Sequence, residues 1–158
     1  LTDLVLPSET NHLNNLFGGE LLARMDRAAS IAAQRHSRNI CVTASVNHVA
    51  FTKAIPLGSV VTVEAKVSRS FNSSMEIYID VWIEDRASGD RTKTMEAIYT
   101  FVAVNATGKP VEVPPIIPQT ELEQQRFDAA LRRKQLSLVL AGKMKPNDAT
   151  ELKALFTS

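Results

Sequence analysis

The period at which apolar residues recur changes near Asn39, and this change constrains the possible folds of the chain more than any other feature. From Gly19 to about Arg38, apolar residues recur at helical spacing, and many of them are alanine. From residue 40 to residue 101, apolar and polar residues instead alternate through four segments. A period of 3.6 indicates an amphipathic helix, and a period of two indicates strands. The order predicts one long helix and then four antiparallel strands, joined by turns at residues 56–58, 71–74 and 87–90.

The first of the four alternating segments contains an irregularity. Its alternation changes phase at Asn47 and His48, and Val49 and Phe51 continue on the other parity. An extra residue in one strand has this effect, so we expect a β-bulge near Asn47 in a strand over residues 40–51. The other strands are expected at residues 61–67, 75–83 and 93–101, with a short one at residues 4–6 before Pro7.

The pattern also predicts how the chain is divided. Residues 1–109 are expected to form one α+β domain in which a curved antiparallel sheet wraps the helix. Four prolines predict an irregular linker over residues 110–118. Residues 119–158 regain a helical pattern, with a short last helix from about Asp148, and are expected to be a C-terminal appendage. One helix covers only one sheet face, so the other should meet solvent or a second copy, with the sheet continued across a dimer interface.

Composition and motifs exclude several classes of protein. The 158 residues have a formal net charge of +1, so nothing indicates nucleic acid or an anionic membrane as a partner. Apolar runs are too short to span a bilayer, and Cys41 is the single cysteine, which excludes an intramolecular disulfide. A cytoplasmic protein is therefore expected. Phosphate-loop, dinucleotide-binding and serine-hydrolase motifs are absent, and the histidines are not at ligand spacing, so we expect no metal site.

Asp26 is the strongest catalytic candidate. On a helical wheel it lies about 20° from Ala33 and about 40° from Leu22, at the edge of the apolar side. A carboxylate at that boundary is expected to be half-buried, which makes it a better base. The alternatives are a solvated helix residue and a residue that pairs with Arg24 or Arg27.

The residues before Asp26 add further candidates. Gly18 and Gly19 stand where the helix begins, so unpaired amides and the positive end of the helix dipole could stabilise a developing oxyanion. Asn11, in the preceding polar loop, could donate from its amide to a carbonyl. The alternatives are a flexible entry to the helix and an asparagine that only forms a turn.

These residues resemble a known family. The segment reads Thr10-Asn11, then Phe17-Gly18-Gly19, then Asp26 seven positions after the second glycine. This pattern resembles the opening motif of the hotdog-fold acyl-CoA thioesterases, the acyl-CoA hydrolase family. Residues 42–58, 73–76 and 132–134 are similar to later segments of that family, so the resemblance covers nearly the whole chain. The chain departs from the family at residues 14–15 and 71–72, where members often carry Gly-Asp or Gly-Asn and Gly-Arg.

The resemblance implies a fold, an activity and an assembly. The fold is a hotdog, a long helix wrapped by an antiparallel sheet, and the activity is hydrolysis of acyl-CoA to free acid and CoA, a reaction of fatty acid metabolism. Asp26 would be the general base or the nucleophile, and nothing in the sequence separates these roles. Asn11 of the other subunit would orient substrate or water, while the Gly18 and Gly19 amides polarise the carbonyl. Dimers would form the sites and assemble into hexamers as trimers of dimers.

Coenzyme A would then be part of the substrate, and no separate cofactor is expected. Its phosphates need cations, and its pantetheine needs hydrogen-bonding groups. The candidates are Lys53, Arg69, Ser70, Ser73, Ser74, Arg132 and Arg133, each of which can instead be an ordinary solvated residue. The acyl chain would lie near Leu22, Met25 and Phe51, positions that can equally be core. Two alternative functions stay open: another hotdog enzyme such as a dehydratase, and a non-catalytic acyl-CoA binding or regulatory module.

Overall fold

In the computed structural model, which describes residues 1–157, one long helix lies against a five-stranded antiparallel sheet. The helix, α1 (Gly18–Ser37), is 20 residues long. The strands in sheet order are β1 (Thr2–Leu4), β3 (Val60–Ser70), β4 (Ser74–Glu84), β5 (Arg91–Val104) and β2 (Ile40–Asn47). The helix thus begins at the glycine pair, as the sequence predicts, and Arg38 ends it in the left-handed conformation (φ 59°).

The core lies between α1 and the inner face of the sheet. Met25, Ala29 and Ala33 of α1 are fully buried, and alanine side chains let the helix approach the strands closely. The inner face presents a row of large apolar residues, each of which stabilises the fold by about 1.5–3 kcal/mol when buried. This row includes Met75, Ile77, Ile79 and Val81 of β4 with Tyr99 and Phe101 of β5.

Strand β2 differs from its sequence prediction in two ways. It ends at Asn47 because His48 adopts φ 55°, so Val49 and Phe51 belong to a loop. The bulge is not near Asn47 but between Thr43 and Ser45, where the pairing with β5 shifts register. Alanine, threonine and serine are all small and nearly neutral, so a bulge among them leaves no mark on the alternation.

The aliphatic side chains at the start of β2 face away from the core. Ile40 and Val42 are 63% and 48% exposed, whereas Cys41 is 8% exposed and belongs to the core. Because β2 is an edge strand, both its backbone and these aliphatic side chains are uncovered in the single chain.

The C-terminal residues cover part of the outer sheet face. Helices α2 (Glu121–Leu140) and α3 (Thr150–Thr157) follow an extended segment, and Ala130 of α2 is fully buried. Arg126 forms two hydrogen bonds with Asp80, and Arg133 forms two with Glu76, so α2 is bound to β4 through charge pairs. The expectation that solvent or a second copy meets this face is wrong for the area under α2. Hydrophobic periodicity cannot reveal a contact made by ion pairs.

Candidate functional site

The loop before α1 is held together by the side chain of Asn11. Its Oδ1 accepts hydrogen bonds from the backbone N–H groups of Leu13 (2.9 Å) and Asn15 (3.2 Å). Asn14 adopts φ 58°, which completes the turn. Among residues 1–157, the Nδ2 amide of Asn11 donates no hydrogen bond, so this donor is available to a ligand.

The start of α1 presents two unblocked amides. Phe17 is the N-cap residue, and no side chain caps this end of the helix. The Phe17 carbonyl accepts from the N–H groups of Glu20 (3.1 Å) and Leu21 (3.2 Å), which leaves the Gly18 and Gly19 amides without an acceptor in the described chain. A side chain at Gly19 would meet no atom within 4 Å, so the space beside it is open. At Gly18, an added Cβ would lie 3.2 Å from Cζ of Phe51, whose ring covers one side of the helix start.

Asp26 lies between α1 and β2, half-buried as the wheel predicts. The hydroxyl of Thr43 donates a hydrogen bond of 2.6 Å to its Oδ1. Thr43 pairs with Phe101 of the inner face, and the register shift that follows places Ser45 opposite Thr100, a residue of the outer face. The alternative pairing of Asp26 with Arg24 or Arg27 is not observed among residues 1–157.

Tyr99 supports the same helical turn from β5. Its hydroxyl donates to the carbonyl of Leu22 at 3.0 Å, the carbonyl that in an α-helix also accepts the N–H of Asp26. Burial, and then the nearby charge of Asp26, raise the pKa of Tyr99 to about 12. Thr43 and Tyr99 were both missed from the sequence. The sequence marks them only as polar side chains within largely aliphatic strands. A polar side chain in a strand fits a solvent-facing position equally well, so this pattern does not identify a contact with the helix.

Several predicted CoA contacts instead hold the C-terminal segment in this chain. The guanidinium of Arg69 stacks on the Phe127 ring at 3.9 Å and donates to the Phe127 carbonyl at 3.1 Å. The hydroxyl of Ser70 donates to the Pro114 carbonyl at 2.7 Å. Arg133 is bound to Glu76 by two hydrogen bonds of 2.8 Å. These three residues are therefore already engaged, although their outer atoms can still contact a ligand.

The remaining CoA candidates are less constrained. Ser74 and Arg133 line a cavity of about 420 Å³ between the outer face of the sheet and α2, together with Ser45, His48 and Lys134. Ser73 lies beside Ser74 and binds the Ala103 N–H through its backbone carbonyl. Lys53 is exposed and Arg132 is half-buried.

Residues 1–157 contain no group of three or more His, Cys, Asp or Glu side chains arranged to hold a metal ion. Within the same residues, none of the helices has the length and apolar character needed to cross a membrane.

Comparison of the sequence with known proteins identifies clear relatives. The model of the thioesterase superfamily matches residues 13–89. The uncharacterized acyl-CoA thioester hydrolase YkhA of Bacillus subtilis is 41% identical over 132 residues, which are 84% of this chain and 77% of YkhA. Acyl-coenzyme A thioesterase 11 of Mus musculus is 41% identical over 145 residues, 92% of this chain. The chain spans only 24% of the length of that mouse protein.

Solved structures share the fold over nearly the whole chain. An apo-hexameric acyl-CoA thioesterase is 39% identical, with a TM-score of 0.85, and the match covers 89% of this chain and 90% of that one. The acyl-CoA hydrolase of Staphylococcus aureus, solved with butyryl coenzyme A, coenzyme A and coenzyme A disulfide, is 32% identical, with a TM-score of 0.83 over 98% of this chain and 93% of that one. These matches confirm the predicted hotdog fold, and the chain belongs to the thioesterase superfamily.

Proposed function

We propose that this protein hydrolyses acyl-CoA thioesters to a free carboxylic acid and CoA. The observation that carries the proposal is the half-buried Asp26 carboxylate, oriented by Thr43, on a helix that begins with two unblocked glycine amides. Similar proteins described as acyl-CoA thioesterases and hydrolases support the substrate class.

The helix start suits the carbonyl of the thioester. Its oxygen would accept hydrogen bonds from the amides of Gly18 and Gly19, and the helix dipole favours the negative charge that develops there. Glycine at position 19 leaves room for the substrate to approach the backbone.

Asp26 would supply the base. As general base it takes a proton from water, the water oxygen bonds to the carbonyl carbon, and the resulting oxyanion then expels the thiolate as the C–S bond breaks. As nucleophile, the carboxylate itself bonds to the carbonyl carbon, the C–S bond breaks as the CoA thiolate leaves, and water then hydrolyses the resulting anhydride to the free acid and the Asp26 carboxylate. A thiolate leaves without a strong general acid because the pKa of a thiol is about 8.5. In both routes the Thr43 hydroxyl holds Oδ1 of Asp26, and Oδ2 faces the water or the carbonyl carbon.

Variants of a similar enzyme support these three positions. The S. aureus acyl-CoA hydrolase has been solved with alanine in place of an asparagine, an aspartate and a threonine. In that protein the aspartate follows the asparagine by 15 positions, and the threonine follows the aspartate by 17. Asn11, Asp26 and Thr43 have the same separations. We infer that they form the corresponding set here.

The complete site is proposed to need two chains. Among residues 1–157, no hydrogen bond joins Asn11 to Asp26, and the free Nδ2 amide of Asn11 would serve the site of the partner subunit. The uncovered β2 edge, with exposed Ile40 and Val42, offers a surface on which the sheet can continue into a second copy. Hexameric thioesterases of the same fold support further assembly of such dimers as a trimer.

CoA is proposed to bind on the side of Ser73 and Ser74. The cavity beside Ser74 holds Lys134 as an additional cation, 5.2 Å from the Phe71 ring. Lys53, Arg132 and the outer atoms of Arg69 could reach phosphate groups from the neighbouring surface. No cofactor besides the substrate is needed for this chemistry.

Release of free thiol from a panel of acyl-CoA substrates, from acetyl to palmitoyl, tests the proposal. The expected result is saturable turnover that is faster than for the same acyl groups on N-acetylcysteamine, because that thiol lacks the nucleotide. Saturable binding of acyl-CoA without thiol release would support a binding module instead.

A further inference from the structure

Arg24 is a buried cation on α1 that the proposed chemistry does not use. Its side chain is 3% exposed. Nη2 donates to the carbonyl of Leu4 at 3.1 Å and to both carboxylate oxygens of Glu9 at 2.9 Å. Nε and Nη1 are buried without a hydrogen-bond partner in the described residues. A buried charge is costly unless it is paired. Glu9 is the close partner of Arg24, and the exposed carboxylate of Asp3 lies farther away, at 3.9 Å from Nη2.

Glu9 connects Arg24 to both parts of the candidate site. Its Oε1 also accepts the N–H of Leu6 at 2.9 Å, which fixes the turn that precedes the Asn11 loop. Its backbone carbonyl accepts the N–H of Phe17 at 3.0 Å, and Phe17 is the residue directly before Gly18. Asn11 follows Glu9 by two residues. One carboxylate residue thus contacts the start of the loop and the start of the helix.

Arg24 itself cannot touch the reacting atoms. Two residues along a helix correspond to a rotation of about 200°, so Arg24 points away from Asp26. Any effect on catalysis must act through Glu9 and the backbone that Glu9 holds.

We propose that Glu9 and Arg24 are positioning residues that set the glycine amides relative to Asp26 of the same chain and hold the Asn11 loop against the start of α1. The inference rests on the proposed function. The pair joins Arg24 of α1 to the loop that precedes the helix. The Gly18 and Gly19 amides thereby keep a fixed distance from the turn that carries Asp26, and the Asn11 loop keeps a fixed place beside the helix start, from which it would reach the partner subunit. Small displacements of oriented groups lower catalysis strongly, even where substrate binding is retained.

The test removes the pair without leaving an orphaned charge. The double variant Glu9→Gln/Arg24→Met keeps the size of both side chains, and the glutamine oxygen can still accept the Leu6 N–H. The matched control is Glu64→Gln/Arg91→Met, which removes an ion pair of 2.6 Å that is almost half-exposed and lies between β3 and β5. Both proteins are compared with wild type by kcat and KM for one acyl-CoA, by thermal unfolding and by light scattering.

The expected result is a kcat at least tenfold lower in the Glu9/Arg24 double variant, with KM changed less than threefold, at wild-type oligomeric state and folded fraction. The control should keep both constants. Glu9→Asp, which retains the charge but shortens the side chain, should lower kcat about fivefold, and it is the deciding variant if the double variant aggregates. Arg24→Lys in a wild-type background should retain more activity than Arg24→Met, because it keeps a cation for Glu9.

A folded variant with kcat within twofold of wild type, or a loss of kcat no larger than the loss of folded protein, would overturn the positioning role. Neither outcome touches the proposed function, because wild type remains active in both. A wild-type protein that releases no thiol would instead contradict the proposed function, and the inference with it.

Discussion

Thr43 donates a hydrogen bond of 2.6 Å to Oδ1 of Asp26, and this contact joins the edge strand β2 to the central helix α1. Thr43 pairs with Phe101 of β5 and so lies on the inner face, and the pairing of β2 with β5 shifts register directly after it. The bulge therefore leaves Thr43 facing the carboxylate and turns Ser45 to the outer face. The orientation of the proposed base thus depends on a single residue of an edge strand.

Removal of the Thr43 hydroxyl should lower the rate. A hydrogen bond to a charged group contributes about 1.5–3 kcal/mol, so Thr43→Val is expected to reduce kcat for acyl-CoA hydrolysis about tenfold or more. The valine has the same shape and suits a strand, which keeps the fold. Thr92→Val, at an exposed position of β5, is the control. A Thr43→Val kcat within twofold of wild type would show that the contact does not assist Asp26.

Alanine at each of the two glycines should separate stability from activity. Replacement of a helical glycine by alanine stabilises a protein by about 0.5–1 kcal/mol where the methyl group fits. Gly19→Ala meets no neighbouring atom, so its melting temperature should rise while kcat/KM falls, because the methyl group occupies the space proposed for the thioester. Gly18→Ala should gain less stability, since the Phe51 ring must move. Unchanged kcat/KM in Gly19→Ala would contradict carbonyl binding at this amide.

The two tyrosines predict an alkaline limit of stability. Burial, followed by the hydrogen bond to Glu96, raises the pKa of Tyr78 to about 12, and that of Tyr99 is raised to about 12. The folded protein therefore holds both phenol protons where the unfolded chain, with ordinary values of 10.0, has begun to lose them. This contribution is fully present below pH 10 and is lost as the pH rises towards 12. The phenolate absorbance of the folded protein should stay flat through pH 10, whereas that of the protein unfolded in guanidinium should rise near pH 10. A rise near pH 10 in the folded protein, with half the amplitude expected for two tyrosines, would show that one tyrosine has an ordinary pKa and would contradict the prediction.

Much of the fold could be predicted from the sequence because its signals are local. The start of α1 at the glycine pair, the alternation of β3 to β5 and the prolines after β5 are each visible within a few residues. The end of β2 at His48 and the bulge after Thr43 were misplaced, since a left-handed residue and an insertion among small side chains hardly change hydrophobic periodicity. The docking of α2 was missed because Arg126 and Arg133 meet their carboxylates from a distant part of the chain.

The candidate site likewise contains features that the local sequence predicts and features that depend on distant residues. The wheel position of Asp26 is a local property and predicted its half-buried state. The contacts from Thr43 and Tyr99 depend on which strand residue faces the helix, and this depends on register. The residue type of Asn11 predicts its place in the loop. A role in the site of a second subunit depends on how two chains assemble, which the residue order of one chain does not reveal.

Mixed oligomers test whether Asn11 acts in the site of its partner. Asn11→Ala and Asp26→Ala chains should each be nearly inactive alone. In a shared-site dimer that carries one of each, one site contains both intact residues, so random mixing should restore about a quarter of wild-type activity, as the symmetry of the dimer requires. Light scattering of the mixture confirms assembly. Activity no greater than the mean of the two variants would show that each site takes Asn11 and Asp26 from one chain, or that Asn11 is not part of the site.

The catalytic role of Asp26 is tested most directly by kcat of Asp26→Asn for acyl-CoA hydrolysis. Asparagine keeps the size of the side chain, and its amide oxygen can still accept the Thr43 hydroxyl, so folding and CoA binding should be retained. Asp128→Asn, at an exposed position of α2, controls for the change of net charge. Loss of the base or nucleophile should lower kcat about a thousandfold with little change in KM. A folded Asp26→Asn protein with kcat within tenfold of wild type would contradict the assignment.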